Sequence, residues 1–226
     1  MIGERPQGRA VVFPGPRRAE LREGILFPKI DDDSVVIKTQ YSGISRGTEM
    51  DLYHNQMHVI GGKGQWYPML PGYEPVGEVV EVGKNVSHLK VGDRAVATNL
   101  FHGYDENYCC AWGGHSEYIV VNPTSHPGRG PERAVQVPSE VSTQEAACSC
   151  LVAVALHGLE KVVVDESKTV MIIGQGVIGI SAAQIVRSRG ARVIVSDLCD
   201  FRLGISREVG IERTVHAGAD PKRRGR

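Results

Sequence analysis

The densest chemistry in the chain is Gly174-Gln175-Gly176-Val177-Ile178-Gly179, with Asp197 eighteen positions beyond the last glycine. In a G-x-G-x-x-G turn the first glycine permits a tight bend. The second lets the backbone approach a pyrophosphate, and the third allows a helix to lie close to a strand. A helix opening at Val177 and Ile178 would aim free N–H groups and the positive end of its dipole at phosphate. A carboxylate at position 197 can accept both ribose hydroxyls of NAD and would repel the 2′-phosphate of NADP. NAD is therefore favoured, although Arg202 lies close enough in sequence to meet a phosphate instead.

Glycines carry this meaning only between the right elements. Thr169-Val170-Met171-Ile172-Ile173 is a β-branched run suited to a buried parallel strand. A helix should follow from about Val177 to Ser188, closed by Arg189-Gly190. Arg192–Ser196 then reads as the strand that delivers Asp197, and Arg213–Ala217 as a third strand. Upstream, short Val- and Ile-rich runs at Arg9–Phe13, Ser34–Thr39, Gly77–Val82, Asp93–Thr98 and Ser116–Val121 alternate with Gly and Pro signals. That texture predicts a mostly antiparallel β-domain. Ser142 with Glu145 forms a capping-box pattern ahead of an apolar segment, read as one buried helix from about Gln144 to Lys161. The expected organisation is a β-rich domain over residues 1–145 and a parallel α/β nucleotide-binding domain over residues 146–226.

The 226 residues include 26 Lys+Arg and 26 Asp+Glu, a net charge of zero that gives no wholesale attraction to nucleic acid or anionic membrane. The longest apolar stretch, Thr169–Val186, is interrupted by Gln175, Ser181 and Gln184 and does not read as a membrane span. Cysteines 109, 110, 148, 150 and 199 lack a scaffold-like spacing, so reduced thiols and a cytoplasmic location are expected. Pro123–Pro131 reads as a loop and Pro221–Arg226 as a basic tail. Among the histidines, His54, His58, His88, His102 and His126 are assigned to solvated loops and His157 to a packed core.

Several blocks resemble the medium-chain dehydrogenase/reductase superfamily, the zinc-type alcohol dehydrogenases. They are Ser42-Gly43-Ile44-Ser45-Arg46-Gly47-Thr48-Glu49, Pro71-Gly72-Tyr73-Glu74-Pro75-Val76-Gly77-Glu78-Val79, Val91-Gly92-Asp93-Arg94, Gly113-Gly114-His115-Ser116-Glu117-Tyr118 and Val154-Ala155-Leu156-His157. The resemblance implies a GroES-like β-barrel followed by a Rossmann domain, with hydride transfer in the cleft between them. Within the superfamily, S-G-I-S-x-G-T-E with P-G-Y-E is most similar to the bacteriochlorophyllide a dehydrogenase branch. That branch oxidises a 1-hydroxyethyl group, and a secondary alcohol or its ketone is the more general expectation.

Catalytic zinc fares poorly against these motifs. The family's zinc cysteine corresponds to Ser45, with one residue inserted after it, and the zinc histidine corresponds to Tyr73. Glu74 survives, and the third ligand position aligns with Cys150. Hydroxyls that stay protonated at neutral pH are poor zinc ligands, so no metal is expected; if zinc did bind, Glu74 and Cys150 would be its ligands. The four clustered cysteines of the family's structural zinc lobe are also missing.

The resemblance assigns Thr48 to the hydroxyl that contacts the substrate oxygen, with Asp51 where relatives keep the imidazole of the proton relay. Tyr73 would bond the substrate oxygen, with Arg46 as the cation nearest in sequence. Each has a structural alternative. Thr48 could cap a helix starting at Glu49, Tyr73 could be a packed aromatic, Glu74 could bind backbone amides, and Cys150 could be a small core residue. An NADPH-dependent quinone or enoyl reductase is a second enzymatic expectation. The three fingerprint strands form only the first half of a doubly wound domain, so on the order of 100 further residues would be needed to complete it. Little turnover is expected of these residues alone, which admits a non-catalytic nucleotide-binding fragment as a third reading. A homodimer is implied for full-length relatives.

Overall fold

The computed structural model describes residues 5–56, 66–98, 107–122 and 133–218. The Pro123–Pro131 loop, the basic tail and His58, His102 and His126 lie outside them. The chain divides into two compact units, Met1–Ala147 and Cys148–Arg226.

In the first unit β1 (Gln7–Val12) and β2 (Glu20–Leu26) pair antiparallel. A five-stranded antiparallel sheet joins β3 (Val35–Gly43), β5 (Tyr73–Val82), β6 (Arg94–Thr98), β8 (Tyr118–Val121) and β9 (Arg133–Gln136) in the order β8-β3-β5-β6-β9. The short strands β4 (Met69–Leu70) and β7 (Cys109–Cys110) pair in parallel. The start of β3 is buried on both faces, which is why its sequence is unbroken Val-Val-Ile rather than alternating. Val35 and Ile37 pack with Val79, Ala95 and Ile119, while Val36 packs with Val12, Phe27 and Val120 on the other side. Helix α1 (Arg46–Tyr53) follows β3 directly.

The helix expected over Gln144–Lys161 is broken in two. Helix α2 (Thr143–Ala146) starts with the full capping box: the Ser142 side chain accepts from the Glu145 N–H, and Glu145 returns to the Ser142 N–H. Helix α3 (Ser149–Leu159) begins after Ala147 and Cys148. Of α3 only Ala155 is buried, and the His157 side chain is 71% exposed, so neither the buried helix nor the core histidine is realised.

In the second unit β10 (Thr169–Ile173), β11 (Arg192–Asp197) and β12 (Arg213–His216) form a parallel sheet in that order. Helix α4 (Val177–Ser188) and helix α5 (Asp200–Glu208) connect them. Ala183, Val195, Leu203 and Ile211 make the core. The strand expected to be buried, β10, is instead half exposed, with Met171 and Ile173 facing outward. Among the described residues β10 has a strand on one side only, and its outward face is uncovered.

Candidate functional site

The fingerprint residues converge at the carboxyl end of the parallel sheet. Gly174 has φ +90, a left-handed turn that an L side chain would strain, and ends β10 with its N–H donated to the Ser196 carbonyl at 2.7 Å. Gly176 is the N-cap of α4 and a Cβ there would meet nothing within 4 Å. A Cβ on Gly179 would fall 1.9 Å from the Gly174 carbonyl oxygen, so the third glycine fixes the helix against the turn. Val177 and Ile178 are partly exposed in the first turn of α4.

Asp197 closes β11, 8% exposed. Its Oδ2 accepts the Gln175 N–H at 2.6 Å, its Oδ1 accepts the Cys199 N–H at 2.8 Å, and Arg202 Nη1 stands 3.7 Å away. These two backbone donors, Gln175 first, hold the carboxyl below the ordinary aspartate range, with Arg202 adding a smaller pull. Asp197 and Arg202 line a cavity of about 550 Å³ with Gly174, Ser196, Cys199 and Ala217. The structure thus brings Gly174, Asp197 and Arg202 together around one concave site at the carboxyl end of the parallel sheet.

Gln175 is more than a spacer between the first two glycines. It is fully buried: its Nε2 donates to the Gly174 carbonyl and its Oε1 accepts from Ser206 on α5, at 2.9 and 3.0 Å. A large polar residue in a glycine-rich turn was the one available signal.

In the first unit the candidate catalytic residues sit where β3 runs into α1, beside the start of β5. Gly43 faces Tyr73 and Ser42 faces Pro75 across that pairing. Ser45 is buried at the N-cap of α1, yet its side chain makes no capping bond. Because α1 begins at Arg46, Thr48 lies inside its first turn rather than at its cap; it is half-buried, and Asp51 is exposed. Arg46 is exposed too. Tyr73 packs on Trp112, ring centroids 5.1 Å apart, as the packed-aromatic alternative has it. Glu74 is 4% exposed and has φ +49, a left-handed conformation uncommon for a glutamate.

Among the described residues no group of three or more His, Cys, Asp or Glu converges in a way that could hold a metal. With hydroxyls at Ser45 and Tyr73, the donors on the first unit do not suit zinc. Cys150 lies on α3, in the second unit.

A further polar cluster escaped the sequence reading. Ser42 Oγ lies 2.8 Å from His115 Nδ1, and His115 Nε2 lies 2.9 Å from Glu49 Oε1, with Glu49 4% exposed. Val11 donates to the His115 carbonyl and His115 to the Pro71 carbonyl, which fixes the backbone that carries the ring. Spacing along the chain carries no trace of that.

Residues 31–127 match the family model of the alcohol dehydrogenase GroES-like domain. Over 204 residues the chain is 33% identical to L-threonine 3-dehydrogenase of Coxiella burnetii, covering 86% of this chain and 58% of that protein. Its fold is similar to galactitol-1-phosphate dehydrogenase from Escherichia coli, TM-score 0.71 at 25% identity, covering 92% of this chain and 61% of that one. Acetophenone reductase from Geotrichum candidum has the same fold, TM-score 0.74 at 21% identity, over 95% of this chain and 65% of that one. The chain spans about three fifths of the length of these relatives. A GroES-like unit followed by a Rossmann-type parallel sheet, together with these matches, makes the chain similar across both units to the medium-chain dehydrogenase/reductase superfamily.

Proposed function

We propose that the protein acts as an NAD-dependent oxidoreductase on a secondary alcohol or its ketone, without catalytic zinc. The observation that carries the cofactor assignment is Asp197: a buried carboxylate, kept ionised by two backbone N–H groups, lining the cavity beside the fingerprint. It offers hydrogen-bond acceptance to ribose hydroxyls and repulsion to a 2′-phosphate. The uncapped N-terminus of α4, over which Gly176 adds no side chain, receives the pyrophosphate.

When bound, the nicotinamide supplies the hydride acceptor. The chain's own part is to bind the alcohol oxygen and remove its proton, because hydride leaves readily only as the hydroxyl ionises. Thr48 receives the substrate hydroxyl and hands its proton toward Asp51, one turn of α1 nearer solvent. Tyr73, held in place by Trp112, donates to the same oxygen where relatives use a metal. Similarity to threonine and polyol-phosphate dehydrogenases supports hydroxyl oxidation as the reaction class.

Titrating the chain with NADH and with NADPH, following nicotinamide fluorescence, tests the cofactor reading. NADH is expected to bind about tenfold tighter or more. Equal or tighter binding of NADPH overturns it and favours the quinone or enoyl reductase reading.

A further inference from the structure

Gln175 and Ser206 are fully buried polar residues of the second unit, one in the fingerprint turn and one on α5. A buried amide costs free energy unless both of its ends are hydrogen-bonded. Here both are. The Gly174 carbonyl can only accept, so the amide end beside it at 2.9 Å is Nε2, and Oε1 is turned toward Ser206. The Ser206 hydroxyl therefore donates. It shares one proton between Gln175 Oε1 and the Arg202 carbonyl one turn back along α5, each at 3.0 Å.

These bonds close a ring. Asp197 Oδ2 accepts the Gln175 N–H at 2.6 Å. From Gln175 the ring passes through the side-chain amide to Ser206 and on to the Arg202 backbone. The Arg202 guanidinium then returns to the same Asp197 oxygen, with Nη1 at 3.7 Å. The fingerprint turn and α5 are thereby tied at one spacing, and that spacing sets how closely Arg202 stands to the carboxylate.

Charge gives the ring a consequence for binding. Among the described residues lining the ribose cavity, Arg202 is the one cation and Asp197 the one carboxylate. Held against Asp197, the guanidinium is neutralised in place, while the carboxylate keeps lone pairs for ribose hydroxyls. Drawn away from Asp197, the same guanidinium is free to grip a 2′-phosphate through two N–H groups and to offset the repulsion by the carboxylate.

We propose that Gln175 is a specificity-determining positioning residue within the nicotinamide-cofactor reading, on which this inference rests. By fixing α5 through Ser206 it keeps Arg202 on Asp197 and so sets the discrimination between NADH and NADPH. Its buried side chain acts through Arg202, not on the nucleotide.

The test is isothermal titration calorimetry of the 226-residue chain with NADH and with NADPH, the readout being the ratio of the two dissociation constants. Gln175→Met keeps the length of the side chain and removes both amide bonds. The preference of the parent chain for NADH should shrink about 3- to 10-fold in this variant, the range expected for one or two lost hydrogen bonds. Ser206→Ala, which deletes one hydroxyl from α5, should move the ratio the same way and serves if Gln175→Met fails to fold. In an Arg202→Gln background, Gln175→Met should leave the ratio where it was, because no guanidinium remains to be released. A merely structural glutamine would weaken both nucleotides alike. An unchanged ratio in Gln175→Met and Ser206→Ala, beside a parent chain that prefers NADH, overturns the inference and leaves the cofactor reading standing. A shift that persists without Arg202 also overturns it. A parent chain with no preference for NADH overturns the cofactor reading itself, and the inference with it.

Discussion

The Gln175 backbone N–H reaches across the fingerprint turn to Asp197 Oδ2 at 2.6 Å, tying the glycine loop to the end of the neighbouring strand. The carboxylate is thus already oriented when a nucleotide arrives, and its place is set by backbone rather than by a mobile side chain. Asp197→Asn turns one acceptor oxygen into a donor facing either a backbone N–H or a ribose hydroxyl. NADH affinity should fall about 10- to 100-fold, the effect of losing a charged hydrogen bond. Fluorescence titration of the variant beside the parent chain reads it directly.

The same bonds make a pH prediction. Gln175 and Cys199 lower the folded pKa of Asp197 beneath its unfolded value of about 3.9. The folded state therefore binds fewer protons than the unfolded one, and the group contributes stability above pH 3.9. That contribution fades as the pH falls through the folded value. Thermal melts between pH 6 and pH 2.5 should show a steeper acid loss for the parent chain than for Asp197→Asn. Parallel profiles would mean that the carboxylate is not held as its hydrogen bonds imply.

Two glycines of one motif should respond oppositely to the same substitution. Gly179→Ala drives a methyl into the Gly174 carbonyl, and overpacking against backbone should destabilise the second unit by about 1–3 kcal/mol. Gly176→Ala has ordinary φ and open space, so the melting temperature should change little. Its methyl instead stands where the pyrophosphate must approach, and NADH binding should weaken. Melting curves and NADH titrations of both variants separate the structural glycine from the binding one.

Much of this was readable from the chain. The glycine spacing, the strand runs and the Ser142/Glu145 box are local patterns; each strand and the fingerprint helix are present, while the one helix expected behind the box is two. The burial of β10 and α3 was misread because apolar composition says that a face should be covered, not what covers it. Ile173 is 82% exposed for that reason. The Ser42–His115–Glu49 cluster was invisible for a different one. It is assembled by non-local pairing of a strand end, a helix turn and a loop, and each residue alone looks ordinary.

The contrast between β10 and β11 is itself testable. Ile173→Thr changes an outward-facing edge residue and should shift stability by less than about 0.5 kcal/mol. Val195→Ala, at the fully buried centre of the sheet, should remove about 1.5–3 kcal/mol. Chemical denaturation of the two variants would reverse that order only if the outer face of β10 were covered in solution.

Thr48 carries the proton-transfer step in the proposed reaction, and its setting makes a clean variant available. It is half-buried inside the first turn of α1 and does not cap the helix, so Thr48→Val keeps the β-branched shape while replacing the hydroxyl by a methyl. If that hydroxyl receives the substrate proton, the small turnover of a secondary alcohol expected of these residues should drop about 10²-fold or more, the usual range for a lost acid–base group. NADH affinity should stay unchanged, because the fingerprint lies in the other unit. Thr48→Ser, which restores the hydroxyl, should recover most of the rate. A Val variant as active as the parent would remove Thr48 from the reaction and leave it a packing residue of α1. Steady-state assays of all three proteins with NAD and a short secondary alcohol distinguish the two outcomes.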